Sequence, residues 1–431
     1  MSVKPASART ALTVMTTMFF MWGFITSLND VLIPHLKAVF SLNYAQSMLI
    51  QFTFFGAYFV MSLPSGKVVS RIGYRNSIIA GLVVTGCGAL LFYPAAKIPS
   101  YPMFLSALFA LATGITLLQV AANAYVSLLG EPRLASSRLN LAQAFNSVGT
   151  TLAPMFGGLL ILSGATMGTH ALLELAPVQQ LAYRLDQAQM VQTPYLLIAG
   201  LLFALALMVF FFHLPSLSGV ENEQSDEYRF TDALRFRHLR LGVVAIFFYV
   251  GAEVSIGSFL INYISLPAIG GMSVASAAKY VSLYWGGAMV GRFVGAALLF
   301  KANPRTVLGS CAIVATLLLL GTMLGHGAPA VAAIVAIGLF NAVMFPNIFT
   351  IGIEQLGPLT GKASSLLVMA IVGGAVVPLL QGMLADQVGV QLAFVLPLAC
   401  YLYIAFYGFQ GSKLDLRALA ASAGSPAFAR D

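Results

Sequence analysis

Apolar runs of roughly twenty residues, each long enough to cross a hydrocarbon core of about 30 Å as a helix, follow one another along the chain. They extend from residue 11 to residue 409 and are interrupted by short breaks that hold Gly, Pro and charged positions. The breaks predict twelve transmembrane helices, over 11–36, 45–63, 76–95, 101–128, 138–162, 192–213, 239–264, 275–299, 306–325, 329–354, 362–386 and 389–409. The chain therefore reads as an all-α integral membrane protein, with no segment that forms a separate soluble domain. The first run follows Lys4 and Arg9 and leads to no small-residue cleavage site, so it is read as a retained helix rather than a removable signal.

One break is longer and more polar than the rest. Residues 214–238, with "GVENEQSDEYRF" inside them, divide the chain near its middle and are expected to be a cytoplasmic linker. Six predicted spans lie on each side, in an N-terminal unit over 1–213 and a C-terminal unit over 239–409, followed by a tail over 410–431. The two units echo each other. "FFMWG" at 19–23 returns as "FFYVG" at 247–251, and at a spacing of 224 positions Asn123 pairs with Asn347, Gly149 with Gly373, Pro154 with Pro378 and Gly158 with Gly382. The expected architecture is two pseudo-symmetric six-helix bundles that rock around a site near the membrane midplane. Small residues in "GTTLAPMFGGLL" (149–160) and "GGAMVGRFVGAAL" (286–298) would let helices approach closely, which is also what ordinary membrane packing requires.

Composition agrees with a membrane location: 59% of residues are apolar and only 8% charged, against about a quarter in soluble domains. The net charge of +8 does not point to nucleic acid, because the basic residues sit in the short gaps between apolar runs, where lipid phosphates are their neighbours. Of 22 Lys and Arg residues, Lys37, Lys97, Arg184 and Lys279 fall on one side and Arg292 within a span; the other seventeen share the side that carries both termini. The positive-inside rule makes that side cytoplasmic. Cys87, Cys311 and Cys400 are far apart and read as core residues, and the five histidines show no metal spacing. "GPLTGKAS" (357–364) is one residue short of a phosphate loop and has Ala363 where Ser or Thr must hold magnesium. No catalytic residue, metal or cofactor is expected, and an enzyme is the disfavoured class.

Polar residues inside the spans carry the functional signal, because an ionisable group at bilayer depth costs at least about 2.5 kcal/mol and needs a partner or a watery cavity. Asp30 stands in "FITSLNDVLIPHLK"; it is either a helix-end residue near Lys37 or a carboxylate well inside helix 1. Glu253 stands in "YVGAEVSIGSFLINYI", about 20 Å along helix 7 from Arg240 at 1.5 Å per residue. It is a candidate for cation coupling or a structural partner of Arg292 on helix 8. Gln119 and Asn123 share one face of helix 4, and Asn140, Gln143 and Asn146 recur every three residues on helix 5. Amides offer donors and acceptors together, which suits sugar hydroxyls. Asn341, Asn347 and Gln381 are C-terminal candidates for the same role. Trp22, Tyr58 and Trp285, with Phe55 and Tyr284, are candidate stacking surfaces for a sugar ring or plain packing.

These stretches carry a family resemblance. "FFMWGFITSLNDVLIPHLK", "MLIQFTFFGAYFVMSLPSG", "LQVAANAYVSLLG" and "SSRLNLAQAFNSVGTTLAP" resemble the fucose/glucose-galactose permeases of the major facilitator superfamily. "GKVVSRIGYR" (66–75) is similar to that superfamily's loop between helices 2 and 3, with Ser70 where an Asp is usual. The resemblance implies a bacterial inner-membrane symporter that takes up a monosaccharide with H+ or Na+; a monomer is expected, and the charge bias puts both termini in the cytoplasm. It maps the proton-linked carboxylate to Asp30 and sugar-lining amides to Gln143 and Asn146. Fucose permeases carry a Glu where this chain has Gln119, while "GAEVSIGSF" with Glu253 looks like the glucose/galactose branch. A glucose- or galactose-type hexose is therefore expected, with N-acetylglucosamine and L-fucose as alternatives and a drug/H+ antiporter further off.

Overall fold

A computed structural model describes residues 5–40, 44–98, 100–160, 176–212, 215 and 228–414. All regular structure among the described residues is helical. The principal elements are α1 (Pro5–Phe40), α2 (Tyr44–Lys97), α3 (Tyr101–Leu128), α4 (Ala135–Leu160), α5 (Pro177–Gln189), α6 (Gln192–Phe211) and α7 (Arg237–Ile264). They continue with α8 (Val274–Leu298), α9 (Pro304–Leu324), α10 (Gly327–Asn341), α11 (Met344–Gly352), α12 (Thr360–Met369), α13 (Gly373–Val388) and α14 (Val395–Phe406).

Among the described residues, every predicted span falls mainly on helix, though their joints differ from expectation. The second and third spans merge into α2, 54 residues long, broken only at Gly73, where φ is 75° and ψ 171°. A side chain would strain that backbone, so glycine sets the corner. The tenth span is divided at Ala342 and Val343 into α10 and α11, and the eleventh at Ala370–Val372 into α12 and α13. Nine helical stretches among the described residues are long and apolar enough to cross a membrane, the one over Leu49–Lys97 holding two predicted spans. α5 was not anticipated; it packs against α1 and α2 between the fifth and sixth spans. Most of the predicted linker lies outside the described residues; its end forms a single turn at Phe230–Ala233.

The duplicated positions prove to be duplicated contacts. A Cβ on Gly149 would lie 2.1 Å from the Phe20 carbonyl oxygen, and one on Gly373 2.0 Å from that of Phe247. Gly23 and Gly251 lie at the same two crossings, the first against Asn146 and the second against Val377. The α1–α4 crossing is thus repeated as α7–α13, each needing glycine for backbone contact. The ends of the halves match as well: Arg75 Nη2 donates to the Phe210 carbonyl at 2.5 Å, near the end of α6, and Arg305 to the Ser412 carbonyl at 3.3 Å, just past the final helical turn. A guanidinium at a helix C-terminus meets the negative end of its dipole.

Between the halves, α4 packs on α8 and α11, while α2 and α3 pack on α12. Most of the hydrogen bonds across this seam join neutral groups. Ser136 Oγ and Thr350 Oγ1 are 2.6 Å apart, Ser137 Oγ donates to the Ala296 carbonyl at 2.6 Å, and Ser364 Oγ to the Val120 carbonyl at 2.7 Å.

Candidate functional site

Of the five N-terminal amides, Asn123 and Gln143 pair with each other and the rest bond to different neighbours. α3 presents Gln119 and Asn123 four residues apart on one face, and α4 presents Asn140, Gln143 and Asn146; all five are buried. Gln143 Nε2 donates to Asn123 Oδ1 at 3.3 Å, and Gln119 Nε2 donates to the Tyr58 hydroxyl on α2 at 2.7 Å. Asn146 Nδ2 is taken by the Phe19 carbonyl at 2.9 Å, so this amide also fixes α4 against α1. Gln119 Oε1, Asn123 Nδ2 and Asn140 Oδ1 are buried without a protein partner. Buried polar atoms are normally satisfied, so such a cluster favours polar company of matching chemistry.

Of the C-terminal amides, Asn347 on α11 faces the other half: its Oδ1 accepts from Asn140 Nδ2 at 3.1 Å, while its Nδ2 is unpartnered. Gln381 on α13 is fully buried with both amide atoms unpartnered. Gly251 meets Val377 one turn back on each helix, so Ser255 of α7, likewise buried and unpartnered, stands at the level of Gln381. Ser255 was not singled out in the sequence, where one serine in a span carries no signal. Asn341 is satisfied on both sides, donating to Tyr284 Oη at 2.8 Å and accepting from Tyr401 Oη at 2.7 Å.

Tyrosine–amide pairing thus occurs in both halves, Tyr58 with Gln119 between α2 and α3, and Asn341 of α10 with Tyr284 of α8 and Tyr401 of α14. Tyr284 also donates to the Glu253 carbonyl at 3.4 Å. Trp285 is more open than Trp22 and Tyr58, which are nearly fully covered, and its ring crosses that of Tyr284 edge-on at 5.2 Å.

Glu253 and Arg292 meet, which was one of the two readings the sequence left open for Glu253. Arg292 Nη2 lies 3.7 Å from Glu253 Oε1, with both side chains almost buried, and Tyr249 donates to the same oxygen at 2.7 Å. Removing one member of such a pair strands a buried charge, at a cost of about 3–5 kcal/mol. Arg292 additionally donates to Ser147 of the other half, a hydroxyl the sequence did not single out. Asp30 lies on α1, but its side chain is outside the described residues. Among the described residues no group of three His, Cys, Asp or Glu side chains is placed to hold a metal.

Buried amides and hydroxyls on two repeated helical units, some of them paired across the seam and next to an ion pair, suit a membrane carrier. The profile described as Major Facilitator Superfamily matches residues 14–371. The chain belongs to this superfamily. It is 52% identical over 403 residues, 94% of each chain, to the glucose/galactose transporter of Brucella abortus biovar 1 (strain 9-941). Its fold matches the crystal structure of the E. coli fucose:proton symporter FucP with a TM-score of 0.87 at 34% identity, covering 94% of this chain and all of the other. The transporter FucP in the outward conformation matches with the same values. These relatives are transporters, and the chain is a multi-pass membrane protein of that fold.

Proposed function

We propose that this protein carries a glucose- or galactose-type hexose into a bacterial cell together with a proton, by alternating access of its two halves. The observation that carries the reading is the buried amide group on α3 and α4, whose unpartnered donors and acceptors match the alternating hydroxyls of a pyranose. The relative at 52% identity is named for glucose and galactose, whereas the fucose symporter stands at 34%. Gln119, in place of the fucose permeases' carboxylate, supports the same preference. The halves 1–213 and 239–409 act as the moving units and 214–238 as their cytoplasmic connection, with both termini in the cytoplasm, the membrane the inner one, and the monomer the working unit.

In this reading Gln119, Asn123, Gln143 and Asn146 recognise the sugar from one half, and Asn347 and Gln381 from the other. Asp30 takes up the coupling cation and Glu253 is the second carboxylate; Trp22, Tyr58 and Trp285 offer ring faces. The neutral contacts at the basic end hold that side closed, as suits an outward-facing state. Neutralising Asp30 removes the penalty of enclosing a bare carboxylate, and a bound sugar that bridges the halves favours closure over the site. A sodium ion on the same carboxylate would serve the same electrostatic end, and oxygen donors suit it.

Counterflow of labelled glucose in proteoliposomes, competed by galactose, L-fucose and N-acetylglucosamine with and without Na+, tests the proposal. Glucose and galactose are expected to compete and Na+ to make no difference. Failure of every sugar to compete would overturn the substrate class, and strict dependence on Na+ would overturn the proton.

A further inference from the structure

Arg292 sits where the two halves meet. Within its own half it faces Glu253 of α7, Nη2 to Oε1 at 3.7 Å, and its Nε donates to the Ala342 carbonyl at 3.4 Å, just past α10. Its Nη1 donates to Ser147 Oγ on α4, across the seam. The other α4–α8 contacts on either side are neutral: Ser137 to the Ala296 carbonyl, Phe145 edge-on to Phe293 at 5.9 Å, and Thr151 Oγ1 to Met289 Sδ at 3.9 Å. Ser147 Oγ spends its own hydrogen on the Gln143 carbonyl at 3.1 Å, which leaves its lone pairs for the guanidinium.

We propose that Arg292 is a positioning residue that ties the charge on Glu253 to the closure of α4 against α8. The proposal rests on the reading of Glu253 as the second coupling carboxylate. While Glu253 is ionised it balances the guanidinium, whose remaining nitrogen stays on Ser147. When a proton or cation neutralises Glu253, the guanidinium becomes a buried charge with only neutral acceptors, and separation of the seam, which admits water to it, becomes the favoured response. The groups facing Glu253 are Arg292 and Tyr284 from α8, Tyr249 on its own helix, and Tyr401 of α14 one step away through Asn341. None of the three phenols supplies a charge to replace that of the carboxylate.

The test places spin labels at Glu131 and Lys301, exposed positions on opposite halves near the basic end, after replacing Cys87, Cys311 and Cys400 by Ala. Distances are read in nanodiscs without sugar. Wild type is expected to show mainly the short distance. Ser147→Ala, which removes the acceptor but leaves the ion pair, and Glu253→Gln are each expected to raise the ratio of long to short distances about fivefold, the scale of one hydrogen bond. Arg292→Lys keeps the charge but cannot hold Glu253 and Ser147 together, so it should match Ser147→Ala in distance while still binding hexose. An unchanged distribution in either Ser147→Ala or Glu253→Gln would reduce Arg292 to a structural counter-ion and overturn the proposal. Because the labels report the seam without substrate, such a failure is distinct from failure of the hexose assignment.

Discussion

Gly149 and Gly373 are the same residue in two copies of one helix crossing: each lies against the carbonyl of a phenylalanine on the neighbouring helix, Phe20 for the first and Phe247 for the second. Space for a methyl group exists at neither. Gly149→Ala and Gly373→Ala are therefore expected to lower stability by about 1–3 kcal/mol each through overpacking. Gly200→Ala, where a Cβ meets nothing within 4 Å, should be tolerated. Melting temperatures of the purified variants in detergent check the contrast, and equal melting of all three would refute the duplicated crossing.

Asp30→Asn is expected to abolish uphill accumulation of sugar while leaving counterflow, since a neutral side chain at that position mimics the loaded carrier and exchanges without a gradient. Vesicle uptake with an imposed proton gradient, compared with counterflow in the same preparation, reads the two separately. Full accumulation by the variant would remove Asp30 from the coupling role.

Gln119 binds Tyr58 through its nitrogen and keeps its oxygen unpartnered. Gln119→Ala removes both, and a lost hydrogen bond of about 1–2 kcal/mol corresponds to roughly a 5- to 30-fold rise in KM for hexose. Tyr58→Phe keeps the ring and the free oxygen, so a smaller rise is expected. A larger effect in Tyr58→Phe than in Gln119→Ala would show the tyrosine, not the amide, to be the contact.

Arg305 meets Glu354 at 2.5 Å and the Ser412 carbonyl at 3.3 Å, at a partly exposed site. Exposed pairs contribute little, so Glu354→Gln should reduce stability by less than about 1 kcal/mol, and by less again in high salt. Transport should be unaffected. Melting curves at two salt concentrations, with uptake assays alongside, check both statements.

The helical class, the number of spans and the doubling of the unit were legible in the chain because lipid demands long apolar runs with internally satisfied backbones. The repeat showed in Gly149 and Gly373 since only glycine permits backbone contact there. Gly73 was less readable: a glycine between two basic residues looked like the middle of a loop, and only its backbone angles show α2 turning a corner. The polar helix α5 escaped notice because its pattern resembles a long break between spans.

For the site, spacing alone put Gln119 with Asn123 and Asn140 with Gln143 on shared faces, because helical periodicity is local. Which faces meet is not local. The sequence offered Arg292 as a structural partner of Glu253, beside a coupling role, because two buried opposite charges on adjacent helices have few other ways to be neutralised. Nothing in it could single out Ser147 as the third member of that group, or set Asn347 against Asn140 across the seam. Those pairings depend on how one six-helix unit rests on the other. Serine and asparagine are common enough in membrane helices to carry no mark of it in sequence; only the tertiary structure, by bringing α4 to α8 and α11, decided it.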